Sequence, residues 1–212
     1  GLEAVAGLAR RGVVVSIGHT DASTEVARAA YAAGARSTTH LFNAMPPLHH
    51  RTPGPVGVAF AEGRAFVELI ADGVHVHPLL FGPLFRVLAK RLLLVSDAIP
   101  LAGRGDGRGR LGSLEVTVRG REARLADGTL AGSVTPLDEA VAIAVGAGVP
   151  LTMALGAASE VPARLLGLRG LGALRVGARA DVVLVDEAGR RQAVLLGGEI
   201  GEMQVGGRHA AG

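Results

Sequence analysis

The feature that most constrains the fold is a set of four apolar segments in the first half of the chain, separated by helical patterns. Two such helical patterns are clear, at residues 24–33 and 79–90. A continuous β-branched run such as VVVSI is expected of a strand buried on both faces of a parallel sheet. Strands that alternate with helices predict βαβ units and an α/β fold. The segments are VVVSI (13–17), RSTTHLF (36–42), AFVELIAD (65–72) and RLLLVSD (91–97).

A polar residue lies at or just beyond the C-terminal end of each predicted strand: His19, His40, His75 and Asp97. Barrels of the (β/α)8 type and other parallel α/β folds keep their chemistry at this carboxyl edge of the sheet. Neighbouring strands lie about 4.8 Å apart, so His19 and His40 can converge on one metal ion. The chain has no cysteine, so any metal would be bound by His, Asp or Glu. Asp97 fits a metal ligand, a general base or a simple loop or helix-capping residue.

Of the remaining histidines, one is predicted to contact a ligand and the others are predicted to be loop or tail residues. Of His75 and His77, the first lies nearer the strand end and is predicted to face inward. His49 and His50 are adjacent and point in different directions, so we expect at least one at the surface. Arg51 beside them suits an anionic group such as a phosphate, although a solvated loop arginine is the simpler interpretation. His209 lies in a Gly/Ala tail, and we expect no role for it.

Composition argues against several other classes of function. The chain has 212 residues, is 49% hydrophobic and carries a net charge of only +3. Its basic residues are scattered among acids and aromatic residues are few, so no nucleic-acid partner is predicted. No apolar run approaches the ~18 residues of a membrane span, so no membrane association is expected. The absence of cysteine weakly favours a cytoplasmic location. The Gly/Arg-rich stretch 101–112, with its Arg-Gly-Asp tripeptide, is predicted to be a flexible surface loop.

The second half reads as a hairpin, helices and a small β unit. Asp127-Gly128 is the turn signal of a hairpin over residues 114–130. A helix is predicted with Thr135 as N-cap and Pro136 at its first position. Another helix is predicted over 151–166, and residues 172–200 read as two or three short strands.

Five motifs, in order, resemble those of the N-acetylglucosamine-6-phosphate deacetylase family of the amidohydrolase superfamily. They are GHTDA, THLFNAMPPLHHRTPG, ELIADGVHVHP, LLLVSDA and GTLAGSVTPLDEAV. The resemblance implies an α/β fold in which residues 1–168 form strands five to eight of a (β/α)8 TIM-type barrel. Residues 169–212 would then be part of a small β-sandwich domain.

The resemblance also implies an activity and a site. The reaction would be hydrolysis of N-acetylglucosamine 6-phosphate to glucosamine 6-phosphate and acetate, with a divalent cation (Zn, Fe, Mn or Co) as cofactor. His19 and His40 would bind the metal and Asp97 would be the catalytic residue. Arg51 would reach the neighbouring site of a homodimer to bind the phosphate. The residues implied to contact the amino-sugar phosphate are Asn43, Ala44, Arg51, His75, Leu130, Ala131 and Gly132.

Some of the family pattern is absent from this sequence. Pro46 and Thr52 vary the usual loop, which we expect to be harmless. The family's third metal ligand, a Glu, and its carbonyl-polarising His belong upstream of the first metal-binding histidine, and Gly1 leaves no room for them. We therefore expect this chain to be a C-terminal portion that is inactive alone. Two alternatives are another amidohydrolase acting on a related amide, and a non-catalytic sugar-phosphate-binding or assembly fragment.

Overall fold

A computed structural model describes residues 1–203 of the chain. The end of the predicted second domain, with His209, lies outside the described residues. The helices are α1 (Leu2–Arg10), α2 (Thr24–Ala32), α3 (Gly54–Ala61), α4 (Phe81–Leu88), α5 (Leu137–Gly146), α6 (Leu151–Ala158) and α7 (Glu160–Leu166). The strands are β1 (Ser16–Ile17), β2 (Ser37–Thr38), β3 (Phe66–Ile70), β4 (Leu92–Val95), β5 (Gly107–Leu111), β6 (Leu114–Arg119), β7 (Glu122–Leu125), β8 (Leu130–Ser133), β9 (Val182–Val185), β10 (Arg191–Leu196) and β11 (Glu199–Met203).

The first four strands form one parallel sheet in chain order, β1-β2-β3-β4, with helices between them. The predicted parallel α/β arrangement is therefore confirmed. Strands β1 and β2 have only two residues each, fewer than predicted. The expectation that the segment 13–17 is buried on both faces is wrong, because Val13 is 47% exposed. Since β1 pairs only with β2 in the described part of the chain, nothing covers its other edge.

The main hydrophobic core lies between one face of this sheet and helices α3 to α6. Alternate residues of β3 and β4 point into it, including Val67, Leu69 and Leu92, and Phe81 and Phe85 of α4 pack against them. Burial of each such side chain contributes about 1.5–3 kcal/mol. On the other face, Phe66 and Leu93 of the sheet pack against Val161 and Leu165 of α7.

A second, antiparallel sheet has the order β5-β6-β7-β8. The predicted turn at Asp127-Gly128 is confirmed, with Thr129 N–H donating to Asp127 Oδ1 at 2.9 Å. The prediction of a flexible loop over 101–112 is wrong in part, because Gly107–Leu111 is strand β5 and pairs with β6 along its whole length. The sequence GRGRL does not have the composition of a typical strand, so this strand was not predicted. At its far end, β8 returns to the parallel sheet through a parallel bridge between Ala98 and Ser133.

Two helix boundaries also differ from the predictions. The segment 151–166 is two helices rather than one, broken at Ser159. Pro162 accounts for the break, since it has no N–H to donate to Ala158 and its ring would collide with that carbonyl group. Helix α5 is capped by Pro136 instead of Thr135.

The tail contains three strands, as the upper estimate predicted, in an antiparallel sheet of order β11-β10-β9. An ion pair of 3.1 Å between Arg191 and Asp138 joins this sheet to helix α5. Across residues 1–203, no helix has the length and apolar character required to cross a membrane.

Candidate metal and substrate site

His19 and His40 converge at the carboxyl edge of the parallel sheet, where strands β1 and β2 end. Their Nε2 atoms lie 2.8 Å apart, with the ring planes at 73°. Two unprotonated nitrogens repel at this distance, so either a proton or a cation must lie between them. Two metal–nitrogen bonds of about 2.0–2.1 Å can span this separation. The geometry therefore fits two histidine ligands of one metal ion.

The backbone at this edge adopts conformations that ordinary residues avoid. A positive φ outside glycine costs about 1–3 kcal/mol and is typical of functional sites. Six described non-glycine residues have a positive φ, and only Ala89 lies elsewhere. Gly18 allows the close approach of the two strand ends, because a Cβ there would lie 2.5 Å from the Thr39 Cβ. The five at this edge are His19 (44°), His40 (26°), Phe42 (76°), Ala44 (50°) and Asp97 (48°).

Asn43 and Ala44 tie the loop after β2 to the loop after β1. The Asn43 side-chain amide donates to the backbone carbonyls of His40 and Leu41, both at 3.1 Å. The Ala44 carbonyl accepts from the Thr20 N–H at 3.1 Å. These bonds fix the two segments that carry the histidines. Asn43 thus has a structural role whether or not it also contacts a ligand.

Asp97 and Gly132 lie together at the end of strand β4. The Ser133 N–H donates to the Asp97 carbonyl at 2.9 Å, which brings β8 beside β4. A Cβ at Gly132, whose φ is +79°, would lie 2.9 Å from that carbonyl and 3.6 Å from Asp97 Oδ2. The structure therefore places Gly132, the last residue of the predicted substrate segment 130–132, beside the predicted catalytic residue Asp97. The Asp97 residue is exposed to solvent in the described part of the chain.

His75 is the buried member of its pair, and it is held by an aspartate that the sequence analysis overlooked. Its side chain is 5% exposed, and its Nδ1 lies 2.7 Å from Asp72 Oδ2. The other oxygen, Asp72 Oδ1, accepts from the backbone N–H groups of Val74 and His75, both at 2.9 Å. Burial raises the pKa of Asp72, but these hydrogen bonds outweigh it and hold that pKa below its usual value. His77 is exposed and caps the following turn at Leu79.

Arg51 lies in an exposed loop whose conformation depends on the two adjacent histidines. Its guanidinium group donates to His50 Nε2 at 2.9 Å, and no other side chain of the described residues binds that group. His49 Nδ1 accepts from the Arg51 N–H at 3.3 Å and contacts Thr52 Oγ1 at 3.2 Å. The structure does not bring Arg51 into contact with His19, His40 or Asp97.

A complete metal site needs more ligands than this segment brings together. Among residues 1–203, no group of three or more His, Cys, Asp or Glu side chains is arranged to hold a metal ion. His40 Nδ1 is buried without a hydrogen-bond partner, although a metal-binding histidine usually donates this second N–H. Within the described residues, the geometry therefore fits a metal at His19 and His40 alone.

Comparison with known proteins agrees with this geometry. A sequence profile described as the amidohydrolase family matches residues 3–201. The chain belongs to the amidohydrolase family. Within that family it resembles the deacetylases of N-acetylated hexosamine 6-phosphates, as the resemblance of the five motifs implied.

Three relatives illustrate this. The N-acetylgalactosamine-6-phosphate deacetylase of Escherichia coli O157:H7 is 41% identical over 94% of this chain and 53% of the relative. The human N-acetylglucosamine-6-phosphate deacetylase is 43% identical over 93% of this chain and 50% of the relative. A mutant N-acetyl-D-glucosamine-6-phosphate deacetylase from Mycobacterium smegmatis, solved with N-acetyl-D-glucosamine 6-phosphate, is 41% identical. It superposes with a TM-score of 0.88 over 94% of this chain and 54% of the relative. The chain thus spans about half the length of these relatives.

Proposed function

We propose that this chain forms the C-terminal half of a metal-dependent deacetylase acting on N-acetylglucosamine 6-phosphate. The observation that carries the proposal is the convergence of His19 and His40, at 2.8 Å, on the edge of the sheet where Asp97 also lies. In this proposal, residues 1–168 supply strands five to eight of a (β/α)8 barrel and residues 169–212 part of a small β-sandwich. The other half of the barrel would supply the missing Glu ligand. A cytoplasmic location remains a prediction.

His19 and His40 would hold a divalent cation through their Nε2 atoms. Such an ion lowers the pKa of a bound water toward ~7 and polarises an amide carbonyl. Nitrogen and oxygen ligands suit Zn, Fe, Mn or Co. The positive φ values of both histidines are consistent with this role, because they aim the two rings at one point.

Asp97 would act as general base and then as general acid. It would accept a proton from the attacking water and return it to the amine nitrogen as the C–N bond breaks, releasing acetate and glucosamine 6-phosphate. An amine leaves readily only when protonated, so the same carboxylate serves both steps. Gly132 beside it leaves room for an acetyl group, since any side chain there would meet the Asp97 backbone.

The phosphate and the sugar would be held by residues away from the reacting carbonyl. Arg51 suits a phosphate because its planar group matches two oxygens at once. Its exposure, and its separation from the histidine pair, favour a homodimer in which Arg51 reaches the neighbouring site. Asn43, Ala44, His75 and the segment 130–132 would contact the sugar. Binding energy from these remote groups positions the acetamide for attack.

A second substrate deserves equal testing. The Escherichia coli relative is named for N-acetylgalactosamine 6-phosphate and is as similar to this chain as those named for the glucosamine sugar. The two sugars differ only in the configuration at one carbon. The proposal therefore concerns the acetamide and phosphate groups of the substrate and does not choose between the two sugars. The alternatives are a non-catalytic fragment and another amidohydrolase activity.

The decisive experiment joins this chain to the N-terminal half of the Mycobacterium smegmatis relative. In this chimera, our chain takes the place of the part of the Mycobacterium smegmatis enzyme with which it shares 41% identity. We expect metal-dependent release of acetate from N-acetylglucosamine 6-phosphate, with the galactosamine isomer assayed alongside. A double variant, His19→Gln with His40→Gln, is the matched control and should be inactive. A folded, metal-loaded chimera that releases acetate from neither sugar phosphate would contradict the proposal.

A further inference from the structure

Asp72 forms a buried pair with His75, and the proposed reaction assigns no role to Asp72. Asp72 is 1% exposed and lies just beyond strand β3, three residues before His75. Its carboxylate contacts the His75 ring on one oxygen and two backbone N–H groups on the other. Gly73 between them has a φ of +78°, so the chain turns tightly enough to bring the ring back onto the carboxylate.

The two oxygens of Asp72 are not equivalent. Oδ1 accepts from the Val74 and His75 backbone N–H groups, both at 2.9 Å, so an oxygen is required at that position. Oδ2 faces His75 Nδ1 at 2.7 Å. An ionised carboxylate can only accept hydrogen bonds, and the low pKa of Asp72 keeps it ionised near neutral pH. His75 Nδ1 must therefore carry a proton.

The remaining ring nitrogen is left open to a ligand. In neutral histidine one nitrogen donates and the other accepts, so a proton on Nδ1 makes Nε2 an acceptor. Among the described residues, no group forms a hydrogen bond with His75 Nε2. This nitrogen is also not fully buried. It therefore keeps contact with solvent at the edge of the sheet that carries His40 and Asp97.

We propose that Asp72 is a positioning residue that keeps the proton of neutral His75 on Nδ1, so that Nε2 accepts a hydrogen bond from a hydroxyl group of the ligand. The nature of the ligand rests on the proposed function, whereas the position of the proton does not. His75 would thereby select for a hydroxyl donor at this point rather than for a phosphate or carbonyl oxygen. Asp72 itself would not touch the ligand.

The test is the tautomer of His75, measured by NMR on the whole chain labelled with 15N-histidine. Protonated and unprotonated ring nitrogens give well separated 15N signals, and His75→Gln assigns the signals of His75. At about pH 9, well above the usual histidine pKa of ~6.5, we expect the proton of His75 on Nδ1. Neutral wild-type His75 with its proton on Nε2 would overturn the proposal without any variant.

The Asp72→Asn variant is expected to reverse the tautomer of His75 rather than only to weaken its hydrogen bond. The two backbone N–H groups still require an oxygen at the Oδ1 position, so the new amide nitrogen must face His75 Nδ1. It would donate to Nδ1 and move the ring proton to Nε2, changing the tautomer ratio by about tenfold or more. A folded variant that keeps the proton on Nδ1 would contradict the proposed role.

Asp186→Asn is the matched control. Asp186 Oδ1 also accepts from two backbone N–H groups, those of Ala188 and Arg190, but no histidine within residues 1–203 contacts it. We expect this variant to leave the His75 signals unchanged. No substrate is present in these measurements, so their failure is distinct from failure of the deacetylase activity, which the chimera tests separately.

Discussion

At the scale of single residues, Asp72 is the carboxylate whose environment is best defined. Burial raises its pKa and hydrogen bonds from His75 and Val74 more than offset this, so its pKa is lower in the folded chain than in the unfolded chain. The folded state then binds a proton less readily. The resulting stabilisation is complete above the unfolded value of about 3.9 and is lost as the pH falls through the folded value.

We therefore predict that Asp72→Ala lowers the free energy of unfolding by about 2–3 kcal/mol at pH 7, because a charged hydrogen-bond acceptor is removed from buried donors. The difference from wild type should narrow below pH 4. Urea denaturation at pH 7 and pH 3 measures both quantities. Asp21→Ala, at an exposed aspartate, should have little effect. A difference that grows toward acid pH would show that the sign is wrong.

A substitution at Asp97 tests the proposed catalytic step rather than the stability of the fold. In the chimera, Asp97→Asn should abolish acetate release, because the amide cannot take a proton from water. Metal and substrate binding should persist, since His19 and His40 are untouched. Metal content and the binding of N-acetylglucosamine 6-phosphate, followed calorimetrically, separate the two effects. A variant that still turns over would remove Asp97 from the mechanism.

The sequence was informative about which residues gather at this edge and silent about how they are held. Strand ends predicted that His19 and His40 would meet, because parallel strands bring their carboxyl ends together. Asp72 was missed because an aspartate before glycine reads as an ordinary turn residue. The sequence did contain a signal for this contact. Asp72 and His75 are three residues apart with Gly73 between them, and a tight turn at the glycine can bring the two side chains together. The exposure of Asp97 depends on neighbours that no local pattern contains.

At the scale of elements, one arginine replaces a cap at the end of helix α3. Arg91 Nη1 donates to the carbonyls of Glu62 and Ala65 at 2.8 Å and of Ala59 at 3.3 Å, and its Nη2 to that of Phe60 at 3.3 Å. Carbonyls at the end of a helix have no intrahelical partner. Arg91 satisfies them and joins α3 to the start of β4.

We predict that Arg91→Ala destabilises the chain by about 2–4 kcal/mol, because four partly buried carbonyl groups lose a charged donor together. Arg91→Lys should recover only part of the loss, since one ammonium group cannot reproduce the planar fork. Thermal and urea unfolding provide the measurement. Arg86→Ala, at an exposed position of α4, is the control, and equal effects of the two alanine variants would refute the capping role.

Element boundaries were the least predictable part of the fold. The single helix expected over 151–166 contains Pro162, which has no N–H to donate to the Ala158 carbonyl, and the helix breaks at Ser159, three residues before the proline. Strand β5 was hidden by glycine and arginine, because its pairing with β6 comes from the backbone. By contrast, the hairpin turn at Asp127-Gly128 was predictable, since its two residues determine the local conformation.

At the scale of the whole molecule, the two faces of the parallel sheet differ in chemical character. On the face opposite the main core, Phe66 and Leu93 pack against α7, and beside them Glu68 Oε1 accepts from Ser16 Oγ at 3.1 Å and Ser37 Oγ at 3.0 Å. Ser16 is exposed, and it contacts Thr39 Oγ1 at 2.6 Å. This polar group is consistent with our proposal that the face lines the interior of a barrel, which four strands alone would not close.

The isolated chain should for this reason bind a divalent metal weakly and release no acetate. Two histidines supply only half of the four ligands that Zn usually takes. We expect the affinity for Zn, measured by competition with a chromogenic chelator, to rise at least a hundredfold when the chain is joined to an N-terminal half that supplies a carboxylate ligand. Loss of a residue that only hydrogen-bonds to a metal ligand already costs about 10–100-fold in affinity, and a direct ligand should contribute at least as much.

The matched control for that measurement is His77→Gln, which removes an exposed histidine outside the pair and should leave the affinity of both forms unchanged. His40→Gln should abolish the rise, because the ion would lose the ligand that lies on the buried side of the pair. Tight Zn binding and acetate release by the isolated chain would mean that residues 1–203 complete the site in a way that the positions of His19, His40 and Asp97 do not indicate. The half-barrel interpretation would then be wrong, even though the family would stand.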